Sequence, residues 1–127
     1  MARIYTVPGE EAPEIDRATV RGFFEKRAEK VGLLGPTTAV IYQDKNPGLA
    51  VRRDAAEKAL LLPIMKLDKS AKVLDVGCGT GRWAQVLIPE CGCYVGFDAS
   101  EGLIRVAREQ YGSSKNATFV VCSADAV

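Results

Sequence analysis

At 127 residues the chain has room for one domain, and its 47% hydrophobic and 26% charged residues exclude a disordered polypeptide. Seventeen basic residues against sixteen acidic ones leave a net charge of +1, so no long-range field recruits nucleic acid or an anionic membrane, and neither is expected as a partner. The most apolar run, Ala59 to Met65, is interrupted by Pro63 and far too short for a bilayer, and the N-terminus lacks the apolar centre of a signal peptide, so a cytoplasmic location is the expectation.

Residues 1–13, with Pro8, Gly9 and Pro13 and no periodicity, read as a flexible arm. From about Glu14 to Val31 the apolar residues Val20, Phe23, Phe24, Ala28 and Val31 recur at helical spacing among Arg21, Glu25, Lys26, Glu29 and Lys30, which predicts an amphipathic helix ended by Gly32, Gly35 and Pro36. Phe23 and Phe24 are expected to form a packing stripe. Thr37 to Gln43 is a short β-branched and aromatic run, and Asp44 to Gly48 forms a turn with Pro47 placed for the first turn of the next helix. That second helix is predicted from about Leu49 to Leu62. Val51, Ala55, Ala59 and Leu62 would form its inner face, the pairs Arg53–Glu57 and Asp54–Lys58 its outer face, and Pro63 a kink or stop.

Val73, Leu74 and Val76 then read as a buried type of strand that runs into Gly77-Cys78-Gly79-Thr80-Gly81 and a helix over 82–88, with Trp83, Val86 and Leu87 on its apolar face. Each glycine has a physical use: Gly77 permits a sharp exit from the strand, Gly79 a close approach of ligand to backbone, and Gly81 the opening of the helix. Free N–H groups in such a turn face a ligand, so a nucleotide-like cofactor is expected there. A second strand, 93–98, ends in Asp98 at the distance from the first glycine expected of a ribose-binding carboxylate. A helix over 100–111 follows, packed through Leu103, Ile104, Ala107 and Tyr111. A third strand, 117–122, carries Phe119, Val120 and Val121 as its apolar core. The alternation of strand and helix predicts an α/β fold with a parallel sheet and right-handed crossovers.

Cys78, Cys91, Cys93 and Cys122 lack the paired spacings of a zinc site, and no histidine is present to complete one, so reduced thiols and no metal are expected. Cys91 and Cys93 read as two small buried residues beside a strand. Cys78, at a helix N-terminus, could carry a lowered thiol pKa, but reads as a small loop side chain.

The run Asp75-Val76-Gly77-Cys78-Gly79-Thr80-Gly81 followed by Asp98 resembles a class I S-adenosylmethionine-dependent methyltransferase over roughly residues 50 to 127. A dinucleotide dehydrogenase spaces its third glycine one position later, where Arg82 stands here, so the spacing favours the methyl donor over NAD. The resemblance implies a Rossmann-like parallel sheet with an N-terminal helical extension, divided into a cap or lid over 14–66 and the first half of a cofactor-binding domain over 67–127. S-adenosylmethionine is the implied cofactor and S-adenosylhomocysteine its product. The backbone of Gly77, Cys78, Gly79 and Gly81 would border the methionine part, Asp75 would help to arrange its amino group, and Asp98 would hold the ribose, with Ala99 next to it a further cofactor-binding residue. Members of the family often place an acid after the third strand to read adenine; here Ser123 or Asp125, with the Ala124 backbone, is the expectation. Trp83 and Phe97 are expected in the core, and Tyr42 as a lid residue.

In the family's sheet order the first strand is central, and the chain stops before a fourth. The fold is therefore expected to be incomplete at its C-terminus, with Lys72 to Val76 an exposed apolar edge open to self-association or a complementing chain. Two functions follow from the resemblance. One is methyl transfer to a small-molecule acceptor, with this chain as the cofactor-binding portion and no catalytic residue assigned. The other is a non-catalytic adenosyl-binding or pairing subunit that completes a partner enzyme.

Overall fold

The computed structural model describes residues 14–126; the expected arm at 1–13 lies outside them. Four helices come first: α1 (Arg17–Glu29), α2 (Val31–Leu34), α3 (Pro36–Ile41) and α4 (Pro47–Met65). An α/β unit follows: β1 (Lys72–Val76), α5 (Ala84–Leu87), a 3₁₀ turn (Ile88–Glu90), β2 (Cys93–Asp98), α6 (Glu101–Tyr111), β3 (Ala117–Val121) and a second 3₁₀ turn (Ala124–Ala126). The strands are parallel in the order β1-β2-β3, with Val76 opposite Phe97 and Asp98 opposite Val121. This is a three-stranded Rossmann-like sheet with a helical extension before it.

The caps explain where the helices start. Asp16 accepts from the Ala18 and Thr19 N–H groups at the head of α1, Asn46 from the Leu49 N–H at α4, and Ser100 from the Leu103 N–H at α6. Pro36 opens α3, so the β-branched run after it is helical; its first-turn proline presets φ and gives up only an N–H that had no partner in the helix. Pro63 lies within α4 and the helix continues through it to Met65.

The core lies between the sheet and the crossover helices. Tyr94, Leu103, Ile104 and Ala107 are at most 1% exposed, and Phe119 is buried against them, its ring 5.6 Å from that of Tyr94. Each large apolar side chain buried there contributes about 1.5–3 kcal/mol. Several apolar strand positions are half-exposed, against expectation on β3 and as expected of an exposed edge on β1. Val120 and Val121 lie on β3, an edge strand, and Leu74 and Val76 lie on β1, the opposite edge.

Two helical faces differ from expectation. On α4, Val51, Ala55 and Ala59 are exposed, and the inward residues are Ala50, Asp54 and Lys58. The face is turned by one residue because Asp54 pairs with Lys58 and also with Arg82 beyond the helix, an ion-pair network that periodicity of apolar residues does not register. On α1 the buried residue is Arg27, whose guanidinium donates to the carbonyls of Ala39 and Thr38 and to Asp44, tying α1 to α3. Cys93, expected buried, is exposed at the start of β2, whereas Cys91 is buried; all four cysteines are free thiols.

Candidate functional site

The three strands end together, and the turn after β1 is where the backbone departs from ordinary geometry. Gly77, Gly79 and Gly81 all have positive φ, +70°, +56° and +84°. At Gly81 both backbone and space demand glycine: an added Cβ would lie 2.8 Å from the Tyr111 ring. The turn is stitched to its neighbours. The Cys78 N–H donates to the Phe97 carbonyl at 3.0 Å, extending the pairing beyond β1, and the Thr80 hydroxyl donates to the Pro36 carbonyl at 3.1 Å.

Asp98 stands at the tip of β2 as the turn's polar centre. Its Oδ2 accepts the Gly79 N–H at 3.0 Å and its Oδ1 the Ser100 N–H at 2.9 Å. A carboxylate offers about four acceptor positions, so each oxygen keeps capacity for a hydroxyl donor. Asp75 has a different environment. It is half-buried on β1 and accepts the Tyr94 hydroxyl at 2.7 Å; burial raises its pKa above the usual carboxylate value, opposed by the Tyr94 hydrogen bond and the positive charge of Arg82. Burial, with the charges of Asp75 and Asp98, pushes the Cys78 thiol up to about 12, so this thiol is not activated by its place before a helix.

A cavity of about 430 Å³ opens at these strand ends. Its floor is Val76, Gly77, Phe97 and Asp98; one side is Ala99, Ser100 and the segment from Cys122 to Asp125; α1 and the residues before it form the opposite wall through Ile15, Arg17, Val20, Arg21 and Phe24. Of the candidate residues, Gly77, Asp98, Ala99, Ser123, Ala124 and Asp125 line the cavity. Asp75, Cys78, Gly79 and Gly81 do not line it; Gly79 is linked to it through its hydrogen bond to Asp98. Phe97 is both core and floor, 4% exposed, while Trp83 is partly buried against the core and does not line the cavity. Tyr42 does not line the cavity: it adopts a left-handed conformation at φ 62°, packed on Phe23 and beneath the Arg27 guanidinium.

A cap over residues 14–66 was expected from the resemblance alone; which residues of α1 face the cavity was not legible from the sequence. The one signal is that Val20 and Phe24 belong to an apolar stripe whose members stay partly exposed, an arrangement only the docked helix reveals. Arg17 pairs with Asp125 across the cavity mouth, and Asp125 also accepts the Ser123 hydroxyl. α1 is held in place from α6: the Gly102 N–H donates to Glu25 at 3.1 Å, and a Cβ at Gly102 would meet Ala28 at 2.7 Å. Among the described residues no group of side chains is arranged to hold a metal ion, and no helix is long and apolar enough to cross a membrane.

Residues 73–127 match the family model of the methyltransferase domain. The chain is 28% identical over 89 residues to demethylmenaquinone methyltransferase of Listeria welshimeri, a match covering 68% of this chain and 38% of that protein. Among solved structures it is similar to phosphoethanolamine N-methyltransferase 1 of Haemonchus contortus, at a TM-score of 0.66 and 20% identity over 87% of this chain and 23% of the other. It is also similar to magnesium protoporphyrin IX methyltransferase of Synechocystis PCC 6803, at 0.56 and 20% over 90% and 57%. The chain thus spans about two fifths of the length of the curated relatives it matches. A glycine turn of three positive-φ residues and an acid at the tip of the neighbouring parallel strand thus stand within the part of the chain, residues 73–127, that matches a methyltransferase domain, on a Rossmann-like fold shared with solved methyltransferases.

Proposed function

We propose that the chain carries the S-adenosylmethionine site of an enzyme that methylates a small molecule, with residues 14–66 as a helical cap and 67–127 as the cofactor-binding unit. The observation that carries this reading is Asp98, whose two oxygens are each held by one backbone N–H and each retain capacity for one ribose hydroxyl. The cavity beside it falls within the 300–1,000 Å³ range of small-molecule sites.

When bound, S-adenosylmethionine supplies an electrophilic sulfonium methyl group for displacement by an acceptor's lone pair. The chain's own contribution is to bind and orient. Asp98 accepts from the ribose, Ala99 and Ala124 offer small surfaces beside the base, and Ser123 or Asp125 accepts from the adenine amino group. The turn from Gly77 to Gly81 borders the methionine end. Val20 and Phe24 of α1 exclude water from the cavity, and rate acceleration then comes from holding the two reactants in line.

Calorimetric titration with S-adenosylhomocysteine tests the reading, with NAD and Asp98→Ala as controls. Hydrogen bonds to a charged acceptor are worth about 1.5–3 kcal/mol, so Asp98→Ala is expected to weaken binding about ten- to a hundredfold, with NAD silent. Equal affinity in the variant, or no binding by the folded chain, would overturn the assignment.

A further inference from the structure

Outside the cavity, the densest cluster of charged side chains joins α4 to the residue just after the glycine turn. Arg82 follows Gly81 directly, and its Nη1 donates to Asp54 Oδ1 at 2.9 Å and to Glu57 Oε2 at 2.8 Å. The other oxygen of Asp54 accepts the Lys58 ammonium at 2.7 Å, and Lys58 also donates to Gln85 on α5 at 3.1 Å. Arg53 completes the set by donating to Glu57 at 3.0 Å. The inner members are well shielded, with side-chain exposures of 9% for Lys58, 12% for Asp54 and 21% for Arg82. A surface pair at this spacing would do little, but removing one partner of a shielded pair leaves the other uncompensated.

The position of the cluster gives it a consequence for the site. Arg82 cannot shift without moving Gly81, and Gly81 is pressed against Tyr111. Two residues earlier, the Gly79 N–H holds one oxygen of Asp98. A continuous mechanical path therefore runs from α4 through Arg82 and the turn to the carboxylate at the strand tip. Thr80 on Pro36 is the only other side-chain bond joining this turn to the four N-terminal helices among the described residues.

From this path we infer that Arg82 is a positioning residue: held by Asp54 and Glu57 of α4, it sets the conformation of the Gly77–Gly81 turn and hence the orientation of Asp98. The helical extension is thus part of the binding apparatus and not merely a cover. The inference rests on the cofactor reading only for its effect on affinity; its effect on the turn is independent of any ligand.

Two measurements on the 127-residue chain separate these. The first is amide hydrogen exchange without ligand in Arg82→Met, Arg82→Lys, Asp54→Asn and, as a control, the exposed Arg52→Ala. Exchange at Gly79 and Gly81 is expected to accelerate at least tenfold in Arg82→Met and Asp54→Asn, with β2 unchanged, to recover at least in part in Arg82→Lys, and to stay at the parent rate in Arg52→Ala. The second is S-adenosylhomocysteine affinity, followed by the emission of Trp83, the sole tryptophan, whose ring lies 5.5 Å from the Arg82 guanidinium. Affinity is expected to fall at least tenfold in Arg82→Met and to be partly restored in Arg82→Lys. Parent exchange rates in the turn of folded Arg82→Met or Asp54→Asn would overturn the inference. Should Arg82→Met fail to fold, the near-isosteric Asp54→Asn decides. A parent chain that binds no S-adenosylhomocysteine would overturn the cofactor reading instead, and the exchange rates would still decide the role of Arg82.

Discussion

Asp75 and Asp98 lie on adjacent strands yet are held by different donors. Two backbone N–H donors hold Asp98 at a strand tip beside the cavity, whereas Asp75 is half-buried with one hydroxyl donor and a pKa raised by that burial. A carboxyl whose pKa is higher folded than unfolded binds more protons in the native state, so its contribution to stability declines as pH rises from the ordinary value near 3.9 through the raised one. Asp75→Asn keeps an oxygen for the Tyr94 hydroxyl and removes the buried charge. It is expected to raise the melting temperature at pH 7, and to raise it less at pH 4, where the parent carboxyl is itself partly protonated; a lower melting temperature at pH 7 would contradict this account. Asp98 was legible in the sequence from its spacing after the first glycine. The hydrogen bond of Asp75 to Tyr94 was not, since it depends on a register that sets Asp75 opposite Gly96 and lets the Tyr94 hydroxyl, two residues away on β2, reach it.

At the level of elements, the central strand β2 and the crossover helix α6 follow their hydrophobic patterns, whereas the N-terminal helices are organised by buried charge. Arg27 illustrates the difference: its side chain is 8% exposed, and its guanidinium reaches the last carbonyls of α3 and both oxygens of Asp44, which Lys30 also contacts. These hydrogen bonds hold the Asp44 carboxyl well below the usual carboxylate range. A depressed carboxyl stabilises the fold above its unfolded pKa and ceases to as pH falls through the folded value, so the α1–α3 junction is expected to loosen progressively below about pH 4. Arg27→Met is expected to cost about 3 kcal/mol in denaturant unfolding, the lower end for breaking a shielded pair because Asp44 keeps a third of its exposure. A loss within 0.5 kcal/mol, the ordinary range for surface changes, would show that the junction is redundant. Helix α6 was legible almost to the residue because Leu103, Ile104 and Ala107 repeat at helical spacing and all face the sheet. The inward face of α4 was not, because Asp54 and Lys58 read as a solvated pair until Arg82 is seen beside them.

In the molecule as a whole, the sheet has β1 at one edge among the described residues, with Leu74 and Val76 55% and 58% exposed on it. Unpaired strand groups flanked by apolar side chains are a template for pairing with another chain. The 127-residue chain is expected to self-associate with rising concentration, and Leu74→Lys with Val76→Lys to reduce that association, as sedimentation velocity would measure; a monomer at all concentrations would oppose this expectation. By itself the sequence determined the order of strand, glycine turn, helix and acid-tipped strand, because these rest on local periodicity and on backbone conformations that glycine adopts most readily. It thereby determined the fold class and the resemblance that led to the cofactor. Only the tertiary structure decided which residues of α1 face the cavity, that Arg82 joins α4 to the turn, and that Asp75 bonds Tyr94 while Gly79 bonds Asp98. Those relations join residues far apart in the chain through ion pairs and close contacts, which leave no periodic trace in the sequence.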